Sequence, residues 1–401
     1  MKKILIICQC ATNKGDRAVA EYLIEQLQGR EVQLTLSTTE PALWSHLTDV
    51  EVIPMGYRRI FPKLKNRFLE KVSRNLNSKY YDLFVFPDLI REESKHKKCL
   101  RTSREFITRV QEADLVIVTG GHHVTSIRNP NALFAITYDI GLAALYAKRL
   151  VFWSQTIGPL EFSDPEADAF FGRVLGRADR ICIRDANSSR CLARYPALEP
   201  KKIVKSYDSV FGFGNLEVTP LSAREKKVGV SIFNGLKKSI AAYPAIAKLL
   251  DHFVSRGYAL EFFRMENDDK ELADIHKLTA LMQTKPRISV FPFRSSTREH
   301  LKELSGCQFF VGHKTHSVIM SLATATPLLS LCYHEKTRDF MKDYGLEHFA
   351  LDDEQLAPAE AVAVADRLMC EAESVHEAMI LRSKEIAEQV ATDLRRIIDG
   401  A

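Results

Sequence analysis

The chain has 401 residues, 46% of them hydrophobic and 27% charged, with a formal net charge of +5. That length exceeds what one hydrophobic core usually serves, so two domains are expected, and the composition excludes a disordered, collagen-like or coiled-coil chain. No window reaches the ~20 apolar residues of a spanning helix. The run Ile4–Cys10 behind Met1-Lys2-Lys3 is too short for a secretory signal, so a buried first strand in a cytoplasmic protein is expected.

In chain order, strand-like runs fall at Lys3–Cys10, Val32–Ser37, Leu115–Thr119, Leu150–Gln155, Ile181–Arg184 and Ile203–Ser206. Helical patterns at Arg17–Leu27, Leu133–Lys148, Glu166–Arg177 and Ser188–Tyr195 separate them. The polar stretch Thr219–Lys227 reads as a linker. A second alternation follows, with strands at Val228–Phe233, Leu260–Arg264, Ile288–Phe291, Gln308–Val311 and Leu328–Cys332. Its helices are expected near Ala241–Arg256, Leu272–Met282, Arg298–Leu304 and Ser317–Thr324, and Pro358–Ile398 reads as terminal helices. Continuous apolar strands alternating with helices predict parallel sheets covered on both faces. The expected architecture is two Rossmann-like, doubly wound α/β domains facing across a cleft: 1–218, 226–350, and a helical tail at 351–401.

The eight cysteines, at positions 8, 10, 99, 182, 191, 307, 332 and 370, form no CxxC pair, which argues against a disulfide framework or a zinc site. Between Gly56 and Arg104 there are 14 Lys/Arg against five Asp/Glu, a local balance of +9. Interleaved Phe61, Leu64, Phe68 and Leu69 make this basic 56–104 stretch amphipathic. It reads as a solvated insertion, or as peripheral contact with an anionic membrane face. No nucleic-acid-binding motif accompanies it.

In doubly wound sheets ligands bind outside the carboxyl ends of the strands, so residues just after strands carry the candidate site. After the first strand, Asn13, Gly15 and Asp16 form a turn opening a helix, where backbone N–H groups favour an anion; a plain helix cap at Asp16 is the alternative reading. No GxGxxG or GxxxxGK[ST] is present. Gly120 and Gly121 follow the third strand and precede His122 and His123. Ser154 and Gln155 end the fourth strand. Arg184 and Asp185 end the fifth, and an arginine there suits bidentate capture of carboxylate or phosphate. The densest segment is Gly312-His313-Lys314-Thr315-His316-Ser317: a turn, a cation, a group that titrates near neutrality, and a helix start with Ser317 as its cap.

These segments together resemble the polysaccharide pyruvyl transferase family. The resemblance runs in order through NKGDRAVAEYL, the double glycine, SQTIGPLEF, ICIRDANSSRCL, SYDSVFGF and VGHKTHSVIMSLATATPLLSLCYHEKTRDFMKDYGL. It covers most of the chain outside the basic stretch. It implies two Rossmann-type domains in the glycosyltransferase-B arrangement, and transfer of pyruvate from phosphoenolpyruvate onto two sugar hydroxyls without metal, nucleotide or other cofactor. It also maps the family's active arginine onto Arg184 and its Arg-Leu-His triplet onto Lys314-Thr315-His316. Lys314 thus stands where the family carries Arg, and Ser126 where many members carry Asp. On this reading Arg184, Lys314 and the helix-start N–H groups hold the donor, and His316 moves a proton as acid or base. The acceptor is a glycan or a lipid-linked saccharide. Two alternatives stay open: a glycosyltransferase using a nucleotide sugar, with Glu335 on the ribose, and a non-catalytic relative that binds anionic glycans.

Overall fold

The computed structural model describes residues 1–10, 12–56, 104–126, 130–162, 165–214, 218–233, 237–284, 288–333 and 335–400. The basic 56–104 stretch lies outside the described residues except at Gly56 and Arg104. The chain divides into two compact units. Unit 1 comprises Met1–Ala11, Leu23–Tyr207 and Asp393–Ala401, and unit 2 comprises Thr12–Tyr22 and Asp208–Thr392.

Unit 1 is built on a parallel sheet in the order β3-β2-β1-β4-β6-β7-β8, with β5 added alongside β6. Its strands are β1 (Lys2–Gln9), β2 (Val32–Thr38), β3 (Val50–Pro54), β4 (Leu115–Val118), β5 (Gly121–Val124), β6 (Leu150–Ile157), β7 (Arg180–Ile183) and β8 (Ile203–Lys205). β1 is flanked by β2 and β4, and Ile4–Ile7 are buried, as a continuous apolar run predicts for a strand covered on both faces. Its helices are the end of α1 (Lys14–Leu27), which belongs to unit 2 as far as Tyr22, with α2 (Arg104–Glu112), α3 (Pro130–Tyr146), α4 (Pro165–Arg177) and α5 (Ala186–Leu192). The core joins Leu5, Ile7, Val116, Val118, Phe152 and Ile181 from the strands to Phe170, Val174 and Leu192 from the helices. Each such buried side chain contributes roughly 1.5–3 kcal/mol of transfer free energy.

Unit 2 carries a second parallel sheet, ordered β11-β10-β9-β12-β13-β14. Its strands are β9 (Glu225–Ser231), β10 (Ala259–Phe263), β11 (Ile288–Phe291), β12 (Cys307–Gly312), β13 (Leu328–Cys332) and β14 (Ala350–Asp352). The helices are α6 (Lys237–Ala241), α7 (Tyr243–Ser255), α8 (Asp269–Ala280), α9 (Thr297–Ser305), α10 (Thr315–Ala323), α11 (Glu335–Asp343), α12 (Pro358–Cys370) and α13 (Ala372–Asp399). In both sheets the strand order reverses once near the middle, at β1/β4 and at β9/β12. Those reversals are where such sheets place ligands. The two-sheet parallel architecture is glycosyltransferase-B-like, as the sequence implies. No helix among the described residues is long and apolar enough to cross a membrane.

Three boundaries differ from the sequence reading. The units divide at Tyr207/Asp208 rather than near 218, because Phe211 stacks on Tyr344 and Phe213 packs edge-on against Tyr22, all within unit 2. The supposed linker is docked. Arg224 is buried, and its guanidinium donates to the Thr219 and Cys307 carbonyls and to Thr326 Oγ1 at 2.9, 3.2 and 2.8 Å. Polar composition hid a charge whose donors are satisfied internally. The tail is not separate either. Most of it belongs to unit 2, where α12 packs on α7, while Asp393 and Ile397 return to unit 1 through Ser206 Oγ (2.8 Å) and Arg149 Nη2 (3.1 Å).

Candidate functional site

Asn13, Gly15, Asp16, Lys314, Thr315, His316, Ser317 and Glu335 belong to unit 2; Gly120, Gly121, His122, Ser154, Gln155, Arg184 and Asp185 belong to unit 1.

In unit 2 a short antiparallel bridge pairs Asn13 with Glu266. The Lys14 N–H donates to the Met265 carbonyl at 2.9 Å, and the Asn267 N–H to that of Thr12 at 3.0 Å. Asn13 Oδ1 accepts from the N–H groups of Gly15 (2.9 Å) and Asp16 (3.2 Å). Asn13 is therefore the cap of α1, and half-buried Asp16 sits in the first turn. The Arg17 N–H donates to the Asn13 carbonyl. All four leading N–H groups of α1 thus have partners inside the unit, so the expectation that they hold an anion is not met. Lys14 is wholly buried, its Nζ donating to the Phe293 carbonyl at 3.1 Å. Burial lowers its pKa to about 8.

The second segment follows β12. Here the helix starts earlier than expected: α10 begins at Thr315 with Lys314 as its cap residue. Ser317 is not the cap but a fully buried hydroxyl, donating to the Lys314 carbonyl at 2.7 Å and paired with Ser231 Oγ. Among the described residues the Thr315 N–H has no hydrogen-bond acceptor. Thr315 Oγ1 lies 2.8 Å from Thr337 Oγ1 and 3.4 Å from the Tyr333 hydroxyl, and Tyr333 stacks on Phe233 at 3.9 Å. His313 is structural. Its Nδ1 accepts from the Phe233 N–H at 3.2 Å and its Nε2 faces Asp353 Oδ2 at 3.1 Å. Complete burial lowers its pKa, so it is held neutral. Glu335 opens α11 and is exposed.

His316 is set differently. Its side chain is 14% exposed, and its Nε2 lies 3.6 Å from Oδ2 of fully buried Asp208, an electrostatic contact longer than a hydrogen bond. Asp208 is itself fixed, with Oδ1 accepting from the Val210 N–H at 2.9 Å. The imidazole lies against Gly15, where a Cβ would come 1.9 Å from His316 Cγ and 2.1 Å from Nδ1. Only glycine permits this approach. The NKGD and KTH segments, distant in sequence, thus meet in space.

Lys314 corrects the sequence reading. Instead of offering an open cation, its Nζ lies 3.0 Å from Glu271 Oε1 and 3.4 Å from Glu266 Oε1. Glu271 is buried and also accepts from the Met265 and Glu266 N–H groups at 3.0 Å. Glu266 Oε1 takes a further bond from Asn13 Nδ2 at 2.8 Å. Lys314 is therefore the hub of a carboxylate network, its charge already matched. Glu266, Glu271 and Asp208 were missed by the sequence reading. The signal existed for the first two, since the acidic turn Glu266–Glu271 directly follows β10 and so satisfies the strand-end rule.

In unit 1, Ser154 takes φ +53° at the irregularity between β6 and β7, a conformation costing on the order of 1–3 kcal/mol. Its carbonyl presses on Gly120, where a Cβ would meet it at 2.4 Å. Gln155 is fully buried, with Nε2 donating to the Val118 carbonyl at 3.1 Å. Gly121 opens β5, an unpredicted strand that contains both histidines. His122 Nε2 lies 2.8 Å from the Gly158 carbonyl, and His123 Nε2 3.2 Å from that of Gly120. Arg184 is buried, and its Nε donates to Thr156 Oγ1 at 2.9 Å. Thr156 in turn donates to Asp185 Oδ2 at 2.6 Å, while Asp185 Oδ1 caps α5 through the Ser188 N–H at 2.8 Å. Arg184 and Asp185 are thus coupled through a hydroxyl, which orients the guanidinium.

The comparisons with known proteins agree with these motifs. The family model described as "Polysaccharide pyruvyl transferase" matches residues 13–335. The chain is 21% identical over 411 residues, covering 94% of each chain, to "Amylovoran biosynthesis protein AmsJ" of Erwinia amylovora. Among solved structures it is similar to a glycosyltransferase from Rickettsia africae ESF-5, with TM-score 0.59 and 10% identity over 99% of this chain and 98% of that one. It is also similar to S. aureus MnaA in its UDP co-structure, with TM-score 0.57 and 11% identity over 100% and 97%. At those identities the structures speak to the fold alone. The family match runs from Asn13 through the Arg184 and Lys314–Ser317 segments to Glu335, and so the chain belongs to the polysaccharide pyruvyl transferase family.

Proposed function

We propose that the protein moves pyruvate from phosphoenolpyruvate onto two hydroxyls of one sugar, forming a cyclic ketal and releasing phosphate, in the assembly of a polysaccharide. The observation that carries this reading is His316, an imidazole seated on Gly15 beside the buried Asp208 carboxylate, within a chain of this family. The relative named for amylovoran biosynthesis supports a glycan, or a lipid-linked precursor of one, as acceptor.

The donor carries a carboxylate and a phosphate. We assign Arg184 to one of these anions, its guanidinium oriented by Thr156 and Asp185. Within unit 2, the helix dipole at the start of α10 favours negative charge at the Thr315 N–H. Lys314, already paired, holds Glu266 and Glu271 in place rather than gripping the donor. His316 accepts the proton of an attacking hydroxyl, the carboxylate of Asp208 stabilising the imidazolium that forms. No metal or nucleotide is assigned a role.

Ligand linkage separates this reading from a nucleotide-sugar transferase. Phosphoenolpyruvate at about 100 times its Kd should stabilise the fold by about 2.7 kcal/mol, read as a rise in melting temperature. Arg184→Ala should abolish the rise. A rise with a uridine-diphosphate sugar and none with phosphoenolpyruvate would overturn the assignment.

A further inference from the structure

Glu266 follows β10 and meets the first turn of α1 on one side and Lys314 on the other. Its two carboxyl oxygens are not equivalent. Oε1 faces two nitrogen donors, Asn13 Nδ2 at 2.8 Å and Lys314 Nζ at 3.4 Å. Oε2 has no partner among the described residues, and the side chain is 30% exposed. With Oε1 occupied by N–H donors, a proton on this carboxyl resides on Oε2, the oxygen left open. The same turn links it to the imidazole: Asn13 bonds Glu266 and also the N–H of Gly15, the residue on which His316 rests.

We propose that Glu266 is a second catalytic residue of the pyruvyl transfer put forward above, delivering a proton from Oε2 to the donor's methylene carbon. The inference rests on that reading of the function. In the step, the C2–C3 π pair of phosphoenolpyruvate takes the Oε2 proton, so that C3 becomes a methyl group. C2 accepts the oxygen of the first sugar hydroxyl, whose proton passes to His316. The C2–O bond to phosphate then breaks, phosphate leaving with the electron pair and taking the proton from His316. The second hydroxyl oxygen bonds C2 and its proton returns to Glu266, which restores both residues. Burial raises the Glu266 pKa from its ordinary value, and the charges of Glu271 and Asp16 push the same way, while Lys314 and Asn13 oppose them. A carboxyl whose open oxygen can carry a proton is suited to give and regain it.

The test follows turnover and phosphoenolpyruvate binding of the full-length protein in D₂O. The wild type should place one deuterium in each new methyl group. Glu266→Gln keeps an acceptor for Asn13 and should bind phosphoenolpyruvate within a few-fold of wild type, yet lose about 10²–10⁴-fold in kcat. Glu266→Ala should regain part of that rate in a concentration-dependent way with added formate. The assignment of Glu266 is overturned, with the parent reading intact, if Glu266→Gln turns over like wild type, if binding falls in step with kcat, or if formate does not accelerate Glu266→Ala. A wild type that releases no phosphate with any acceptor sinks the parent reading, and this one with it.

Discussion

His316→Ala is expected to lower kcat for pyruvyl transfer by about 10²–10⁴-fold, the span attributed to proton transfer by a placed side chain. The binding of phosphoenolpyruvate should change little, because the group assigned to its anions is Arg184. Asp208 Oδ2 lies 3.6 Å from the imidazole on one side, and the Gly15 backbone packs against the ring. Asp208→Asn should therefore give a smaller loss, confined to kcat. The amide still accepts from the Val210 N–H but no longer offers a charge to the imidazolium. Steady-state kinetics of both variants check the pair. Wild-type turnover by His316→Ala would remove the imidazole from the mechanism.

Gly15→Ala is the second large effect. In an ordinary helix this change stabilises by up to ~1 kcal/mol, since alanine is the better helix former. Here the new Cβ would lie 1.9 Å from His316 Cγ, far inside contact distance, so the ring must leave its seat. Overpacking of this kind costs about 1–3 kcal/mol. The expected result is a less stable protein with the catalytic defect of His316→Ala. The stability loss should shrink in the His316→Ala background, where the ring is gone and only the Cβ of residue 316, 2.5 Å from the new one, still crowds it. A double-mutant cycle by denaturant unfolding measures this coupling directly. Additive effects would show that the two residues do not share the space described.

What the sequence could reveal follows from how local each signal is. β1 and β6 were legible because strands buried on both faces are written as unbroken apolar runs, KILIIC and LVFW. β3 was not, because it is an edge strand whose middle residues, Glu51 among them, are only partly buried. β5 was hidden by its length of four residues and its two histidines. In the candidate site, Asn13–Asp16 and Lys314–Ser317 stand out because a turn between strand and helix carries its own punctuation. The roles inside those turns did not. Asn13 rather than Asp16 caps α1, and Lys314 rather than Ser317 precedes α10, since only backbone geometry decides which neighbour takes the cap position.

Lys314 shows the limit most clearly. Read from its neighbours, it is a cation at a helix start. Its actual environment is set by Glu266 and Glu271, more than forty residues away along the chain. Glu266 in turn is joined to Asn13 across 253 positions. No local pattern encodes that pairing. The fold creates it by bringing the end of β10 beside the start of α1.

The most direct measurement is incubation of the protein with phosphoenolpyruvate and a panel of glycosides, followed by mass spectrometry of the glycosides and assay of phosphate. One glycoside class should gain pyruvate as a ketal, with one phosphate released for each pyruvate attached. Phosphate release with no modified glycoside, or a glycoside extended only when a nucleotide sugar is supplied, would contradict pyruvyl transfer.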